Sequence, residues 1–258
     1  GPASWWRADM ATAQDPGTAI VTGAARGIGL AIATRLSQLG YRVIAVDRDA
    51  AVQDSARGHE GEGHVLDVTD EAGIRSLVAR TLERHGRIDV LVNNAGWHPQ
   101  VAREQRGFDR IPAAQWDEVL RVNLTSAFLF CREVVPPMRA RTRGRIVNMS
   151  SRAGRMQVPG AGAHSAAAKP GLIGMTRMLA AELAADGVTA NCIAPGVVET
   201  PLTVQGDEER RARLGKHVPV GRAGQVEEIA HAVEYLVSPR AAFVTGTVLD
   251  VNGGSFMP

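Results

Sequence analysis

From Thr18 onward the chain alternates short β-branched runs with longer stretches of helical periodicity, and this alternation constrains the fold more than any other feature. The segments 18–23, 41–47, 64–68, 88–96, 144–151, 188–196 and 246–254 read as strands. Between them, 29–40, 71–86, 113–138, 164–187 and 226–238 read as helices. Strands joined through helices predict an α/β fold: a doubly wound parallel sheet of about seven strands, with helices on both faces and right-handed crossovers. No repeat or low-complexity linker interrupts 17–258, which is therefore expected to form a single domain. The opening "GPASWWRADMATAQDPG" has no signal-peptide apolar region, and residues 1–16 are expected to be an N-terminal extension or cloning remnant.

Composition narrows the function classes. Net charge is +2 with both signs interleaved, which gives no footprint for nucleic acid. No apolar run reaches the ~18 residues of a membrane span, so no membrane role is expected. The two cysteines, Cys131 and Cys192, sit in apolar surroundings, which fits a reducing cytoplasm rather than a disulfide framework. No His/Asp/Glu cluster has metal-ligand spacing, so no metal site is expected.

The stretch "TGAARGIG" (22–29) sits between the first strand and first helix and carries Gly23, Gly27 and Gly29. Glycine suits this place because a Cβ would hold the backbone away from a pyrophosphate, whose charge the helix N-terminus attracts. Asp47 ends the second strand, 18 residues beyond Gly29. A carboxylate there can bind the adenosine ribose hydroxyls and repel a 2′-phosphate, which favours NAD(H) over NADP(H). Arg26 and Arg48 argue the other way, since either could host a phosphate; Asp47 could also simply cap the next loop.

These features, with "NNAG" (93–96), "VNL" around Asn123, "NMSS" (148–151), "APGVVETP" (194–201) and "TGTVLDVNGG" (245–254), resemble the short-chain dehydrogenase/reductase family over residues 17–254. The nearest likeness is to members of the 3-oxoacyl carrier-protein reductase type. The resemblance implies a Rossmann-type fold and an NAD(P)(H)-dependent oxidoreductase acting on a secondary alcohol or ketone. It implies that Gly23, Arg26, Gly27, Ile28, Gly29, Asp47, Arg48, Asp67, Val68, Asn94, Ala95, Gly96, Lys169, Pro195, Gly196, Val198 and Thr200 lie along the cofactor. It assigns Asn123 to a helix kink holding a relay water, Ser151 to the substrate oxygen and Lys169 to the nicotinamide ribose. In this family the long helices 113–138 and 164–187 pair between subunits, which implies a homotetramer or homodimer, with a monomer as the alternative.

One residue departs from the pattern. The family's acid is a tyrosine four residues before the lysine, where one helical turn brings phenol and ammonium together. Here that position is Ser165, within "GAHSAAAKPG" (162–171). Counting from Ser151 by the family's common spacing of thirteen reaches His164 instead; the helical register from Lys169 is the firmer guide. The two tyrosines, Tyr41 and Tyr235, lie elsewhere in the expected topology. An alkanol is a far weaker acid than a phenol, so a substitute is needed: a water relayed by Lys169, or His164 if its loop turns inward. The alternative for His164 is a helix-start residue facing solvent or cofactor. Three explanations stay open: a dehydrogenase inactivated by a Tyr-to-Ser change, a natural variant with another acid, or a non-redox lyase, isomerase, cyclase or cofactor-binding protein on the same scaffold.

The substrate is expected beyond the carboxyl ends of the strands. Its candidate walls are 97–100, 152–160 and 197–222, the last a charged, lid-like insertion. Trp97, His98, Arg152 and Gln157 are the substrate-side candidates for a small molecule, free or carrier-tethered. Trp97 can stack on a flat group or cap the sheet; His98 reads as a loop residue more readily than as a ligand. Arg152 and Arg155 could pair with a carboxylate or phosphate.

Overall fold

The computed structural model describes residues 17–99, 107–158, 161–200 and 215–258. Residues 1–16, Gln100 of the first substrate wall, Pro159 and Gly160 of the second, and 201–214 of the lid-like insertion lie outside the described residues.

Seven strands form one parallel sheet in the order β3-β2-β1-β4-β5-β6-β7. They are β1 (Thr18–Thr22), β2 (Arg42–Asp47), β3 (Glu62–Val65), β4 (Val90–Asn93), β5 (Gly144–Met149), β6 (Val188–Pro195) and β7 (Val248–Val251). The helices are α1 (Gly27–Gln38), α2 (Val52–Gly58), α3 (Glu71–His85), α4 (Ala113–Leu120), α5 (Ser126–Ala140), α6 (Gly162–Leu183) and α7 (Val226–Val237). Because the central strands are apolar on both faces, alternate side chains feed two cores. Ala19 and Val21 of β1, Val43 and Ala45 of β2 and Val90 and Val92 of β4 pack with α1, α2 and α7. Ile20, Ile44, Val46 and Leu91 point the other way, into Phe130, Val134 and Met138 of α5 and Ile74 and Leu77 of α3.

The strand order reverses between β1 and β4, and this switch point opens a crevice at the carboxyl ends of the strands. β1 pairs with β2 on one side, from Thr18↔Arg42 to Thr22↔Val46, and with β4 on the other, through Ala19↔Val90 to Val21↔Val92.

Three differences from the sequence reading have identifiable causes. The short α2 buries only Val52 and Ala56, too few positions for a visible period. The strands expected over 88–96 and 246–254 shrink to four residues each, because the flanking residues turn out of the ladder. At the end of β4 the Thr22 hydroxyl does this, accepting the Asn94 and Ala95 N–H groups at 3.0 Å each. The single helix expected over 113–138 is divided by a π-helical turn at Arg121–Thr125. Asn123 Nδ2 donates back to Val119 O at 3.0 Å, and Ser126 Oγ to Val122 O at 2.7 Å. Side chains that bond to the preceding turn widen the helix there.

Candidate active site

The glycine turn closes tightly on the loop after β4. Asn94 Nδ2 donates to Thr22 O at 3.0 Å and to Gly23 O at 3.2 Å. Gly23 has φ +68°, and a Cβ there would lie 2.9 Å from Ala95 Cα. A Cβ on Gly29 would overlap Gly23 O and sit 2.6 Å from Asn94 Nδ2. Only glycine allows this approach, and it leaves the N-terminus of α1 open above the sheet. Asp47 reaches the same turn: Oδ2 accepts from Ala25 N at 3.1 Å and Oδ1 from Asp49 N at 3.0 Å. Arg26 pairs with Asp49 at 3.4 Å. Arg48 lies near enough to Asp67 to help hold that carboxyl low, after the larger effect of the Thr69 N–H that it accepts.

Several expected cofactor residues turn their side chains elsewhere. Val68 and Val198 are buried, and Ile28 packs against the α1 core. A ligand would meet their main chains, because apolar side chains beside a core gain more by burial than by facing a polar crevice. The turn after β6 stays accessible. Gly196 N donates to Val251 O at 3.0 Å, and a Cβ on Gly196 would lie 2.7 Å from Asn252 Cα. Pro195 ends β6, and Thr200 remains half-buried beside it in sequence.

Three polar side chains converge farther along the crevice. A Cβ on Gly96 would lie 2.9 Å from Asn123 Oδ1 and 3.8 Å from Lys169 Nζ, so amide and ammonium flank this glycine. Asn123 holds both main-chain polar groups of Trp97, accepting from Trp97 N at 3.3 Å and donating to Trp97 O at 2.7 Å. Lys169 Nζ donates to Met149 O at 2.8 Å. Ser150 Oγ donates to Lys169 O at 3.0 Å, tying α6 to the end of β5. Ser151 Oγ accepts from Ala153 N at 3.1 Å, which fixes the oxygen and leaves its proton to give to a ligand.

Burial lowers the Lys169 ammonium to about 8. A lysine with a folded value of about 8 and a reference value of 10.5 destabilises the fold below pH 8, where the group is charged in both states, and the penalty fades as pH rises to 10.5. Relative to Lys169→Met, the wild type should therefore gain about 3 kcal/mol in urea unfolding across that window. A difference that stays constant with pH would refute the buried charge. Above pH 9 the buried thiols act in the opposite sense, since burial raises Cys192 to about 11 and Cys131 to about 12. Both forms contain them, so the comparison removes most of their effect, the remainder being the pull of Lys169 on the Cys192 thiol.

The start of α6 corrects the reading of two histidines. His164 does not face solvent: it is 2% exposed. Its Nδ1 accepts from Ser165 N at 2.8 Å, and Nε2 lies 3.2 Å from Gln115 Nε2 of α4. His98 is more than a loop residue: its Nδ1 lies 3.2 Å from Ser165 Oγ. The two imidazoles meet edge to face, with centroids 6.0 Å apart and planes at 79°. Nothing in the sequence links His98 to a residue 67 positions away; its place just after the strand leading to the crevice was the available signal.

On the substrate side Trp97 and Arg152 are half-buried and Gln157 is exposed at the rim. Arg155 is already engaged, 3.1 Å from Asp250 Oδ2 with its guanidinium 4.9 Å from the Phe256 ring centroid. Both tyrosines are remote from Lys169: Tyr41 lies among Arg143, Asp89 and Arg145 at the amino end of the sheet, and Tyr235 is exposed on α7. A cavity of about 620 Å³ between α1 and α7 is lined by neither Ser165 nor Lys169. Among the described residues no three His, Cys, Asp or Glu side chains come together as a metal set, and no helix is long and apolar enough to cross a membrane.

A family model described as "Enoyl-(Acyl carrier protein) reductase" matches residues 23–255. The 3-oxoacyl-[acyl-carrier-protein] reductase of Escherichia coli (strain K12) is 40% identical over 242 residues, covering 93% of this chain and 97% of that protein. Its counterpart in Haemophilus influenzae is 38% identical over 242 residues, covering 93% of this chain and 98% of that one. Among solved structures, a ribose-5-phosphate isomerase from Brucella melitensis 16M superposes with a TM-score of 0.84 at 36% identity, over 93% of each chain. A levodione reductase superposes with a TM-score of 0.83 at 33% identity, over 93% of this chain and 97% of that one.

Proposed function

The chain belongs to the short-chain dehydrogenase/reductase family, and on that premise we propose that it is an NAD(H)-preferring oxidoreductase interconverting a ketone and a secondary alcohol. The observation that carries this reading is the convergence of Asn123, Gly96 and Lys169 beside a turn too close-packed to accept a Cβ at Gly23 or Gly29. The turn fits a dinucleotide: α1 offers its N-terminus to the pyrophosphate, and Asp47 stands where the adenosine ribose would lie. A 2′-phosphate would meet the Asp47 carboxylate, while Arg26 is drawn to Asp49 and Arg48 lies toward Asp67. When bound, the nicotinamide ring supplies or accepts the hydride.

The protein's own groups would do the rest. Lys169 would hold the nicotinamide ribose with the N–H groups not given to Met149 O. Asn123 fixes the Trp97 main chain, keeping the loop after β4 beside the reacting atoms. Ser151 would give its proton to the substrate oxygen as a hydrogen bond, steadying charge that develops there. Ser165, one turn ahead of Lys169, occupies the position that the family gives to its tyrosine acid. Trp97, Arg152 and Gln157 would border the substrate. The relatives' names support a 3-oxoacyl thioester, carrier-tethered or free, as the substrate class. Phe128 on α5 and Met178 on α6 are 46% and 70% exposed, which supports a homotetramer or homodimer through these helices. A cytoplasmic location is consistent with two buried free thiols.

Titration of NADH and NADPH into the protein, followed by fluorescence, tests the cofactor assignment, with acetoacetyl-CoA reduction in parallel. NADH is expected to bind at least tenfold tighter than NADPH, and Asp47→Ala to erase the difference. Equal binding of the two by the wild type would overturn the preference. Failure of both to bind would overturn the oxidoreductase reading itself.

A further inference from the structure

We propose that His98 and Ser165 form a two-residue proton relay that supplies the acid for carbonyl reduction, with His164 as the neutral support holding both in place. This rests on the oxidoreductase reading above and names the acid which that reading lacks.

The geometry separates the two histidines. His164 Nδ1 is committed as an acceptor to Ser165 N, so the neutral ring carries its proton on Nε2. That proton points to the Gln115 amide, whose oxygen and nitrogen are interchangeable in position. Protonating Nδ1 would break the bond to Ser165 N inside the protein, and burial, with His98 adding a smaller effect, lowers the affinity of His164 for that second proton. A histidine so placed is the poorer proton donor of the two, its Nδ1 lying 3.4 Å from Ser165 Oγ against 3.2 Å for that of His98. It does fix the backbone of Ser165, and its ring edge braces His98.

His98 has the complementary properties. It is exposed, so solvent can recharge it, and its Nδ1 is within hydrogen-bond distance of the Ser165 hydroxyl. Ser165 is half-buried on the turn of α6 that precedes Lys169. As the carbonyl carbon receives a hydride from a reduced nicotinamide, the carbonyl oxygen gains charge and takes the proton of Ser165 Oγ. That O–H bond breaks while Oγ receives the Nδ1 proton of His98 imidazolium. The balance is one alcohol formed, Ser165 restored, and His98 left neutral to be reprotonated by water. Oxidation of the alcohol runs the relay in reverse. Serine can pass the proton from imidazole to the carbonyl oxygen because its hydroxyl is donor and acceptor at once. His164 of α6 packs edge to face against His98, while Lys169, one turn onward, directs Nζ to Met149 O.

The first test needs no cofactor. In protein labelled with ¹⁵N-histidine, with the His98 signals assigned by their loss in His98→Gln, Ser165→Ala is expected to shift the His98 Nδ1 resonance and its titration midpoint. Unchanged His98 signals would overturn the relay. The second test follows reduction of acetoacetyl-CoA by NADH. His98→Ala and Ser165→Ala should each lower the rate by about 10²-fold, and the double variant should be no slower than either. NADH affinity should stay within twofold, and the pH dependence of the wild-type rate near neutrality should vanish in His98→Ala. A rate within twofold of wild type in His98→Ala would overturn the relay while leaving the oxidoreductase reading intact. No turnover in the wild type, with turnover in Ser165→Tyr, would also overturn the relay alone. No turnover in either, with NADH bound, would overturn both.

Discussion

Gly29→Ala is expected to raise the dissociation constant for NADH by at least ~10²-fold and to lower stability by about 1–3 kcal/mol, the usual cost of overpacking. The added methyl would overlap the carbonyl oxygen of Gly23 and press on Asn94 Nδ2 at 2.6 Å. Neither can retreat cheaply. Gly23 O is backbone, held at φ +68° between β1 and α1, and the Asn94 amide is committed to Thr22 O and Gly23 O. Relief would have to come from displacing the N-terminus of α1, whose N–H groups the pyrophosphate is expected to use. Gly174→Ala is the control, since its Cβ would meet nothing within 4 Å, on the exposed side of α6. There alanine should be neutral or stabilise by about 0.5–1 kcal/mol through helix propensity. Fluorescence titration and urea unfolding of the two variants read both quantities. Wild-type NADH affinity in Gly29→Ala would show that the turn does not hold the cofactor.

The second large effect concerns the acid. The double variant Ser165→Tyr/His98→Ala should reduce acetoacetyl-CoA about 10²–10⁴-fold faster than His98→Ala alone, the range that general acid–base help supplies. Removing His98 opens the space beyond Ser165 Oγ that its imidazole now occupies, and a phenol ring can extend into it. One helical turn from Lys169, that phenol would feel an ammonium that favours its ionised form. The pH profile should then follow the phenol and the Lys169 ammonium instead of imidazole. No gain over His98→Ala would refute the assignment of Ser165 to the acid's position.

How much of this was legible beforehand differs between cofactor and acid. The glycine turn and Asp47 could be named from local rules, a strand followed by a helix and a carboxylate at a strand's end, whereas Asn94, Gly96, Asn123, Ser151 and Lys169 were named only through the motifs that resemble the family. Thr22 was missed, although its hydroxyl organises the loop after β4 by accepting two N–H groups from 72 and 73 residues away. Arg155 was read as open to a substrate anion, yet a partner 95 residues farther along, Asp250, takes its charge. The exposure of His164 was misjudged for a related reason. A polar residue at a helix start is commonly solvated, whereas here Gln115 of α4 and the His98 ring pack against it.

The sequence by itself determined the order of strands and helices, the apolar sheet, the glycine turn and the absence of a tyrosine before Lys169. All of these are periodicities or spacings within about twenty residues, where backbone geometry dictates what neighbours can do. Only the tertiary structure brought His98 beside Ser165, the residue in the tyrosine's place. His98 and Ser165 meet because β4 and the start of α6 end at the same side of the switch point, and no local rule records a contact made by two chain segments that fold separately and then pack.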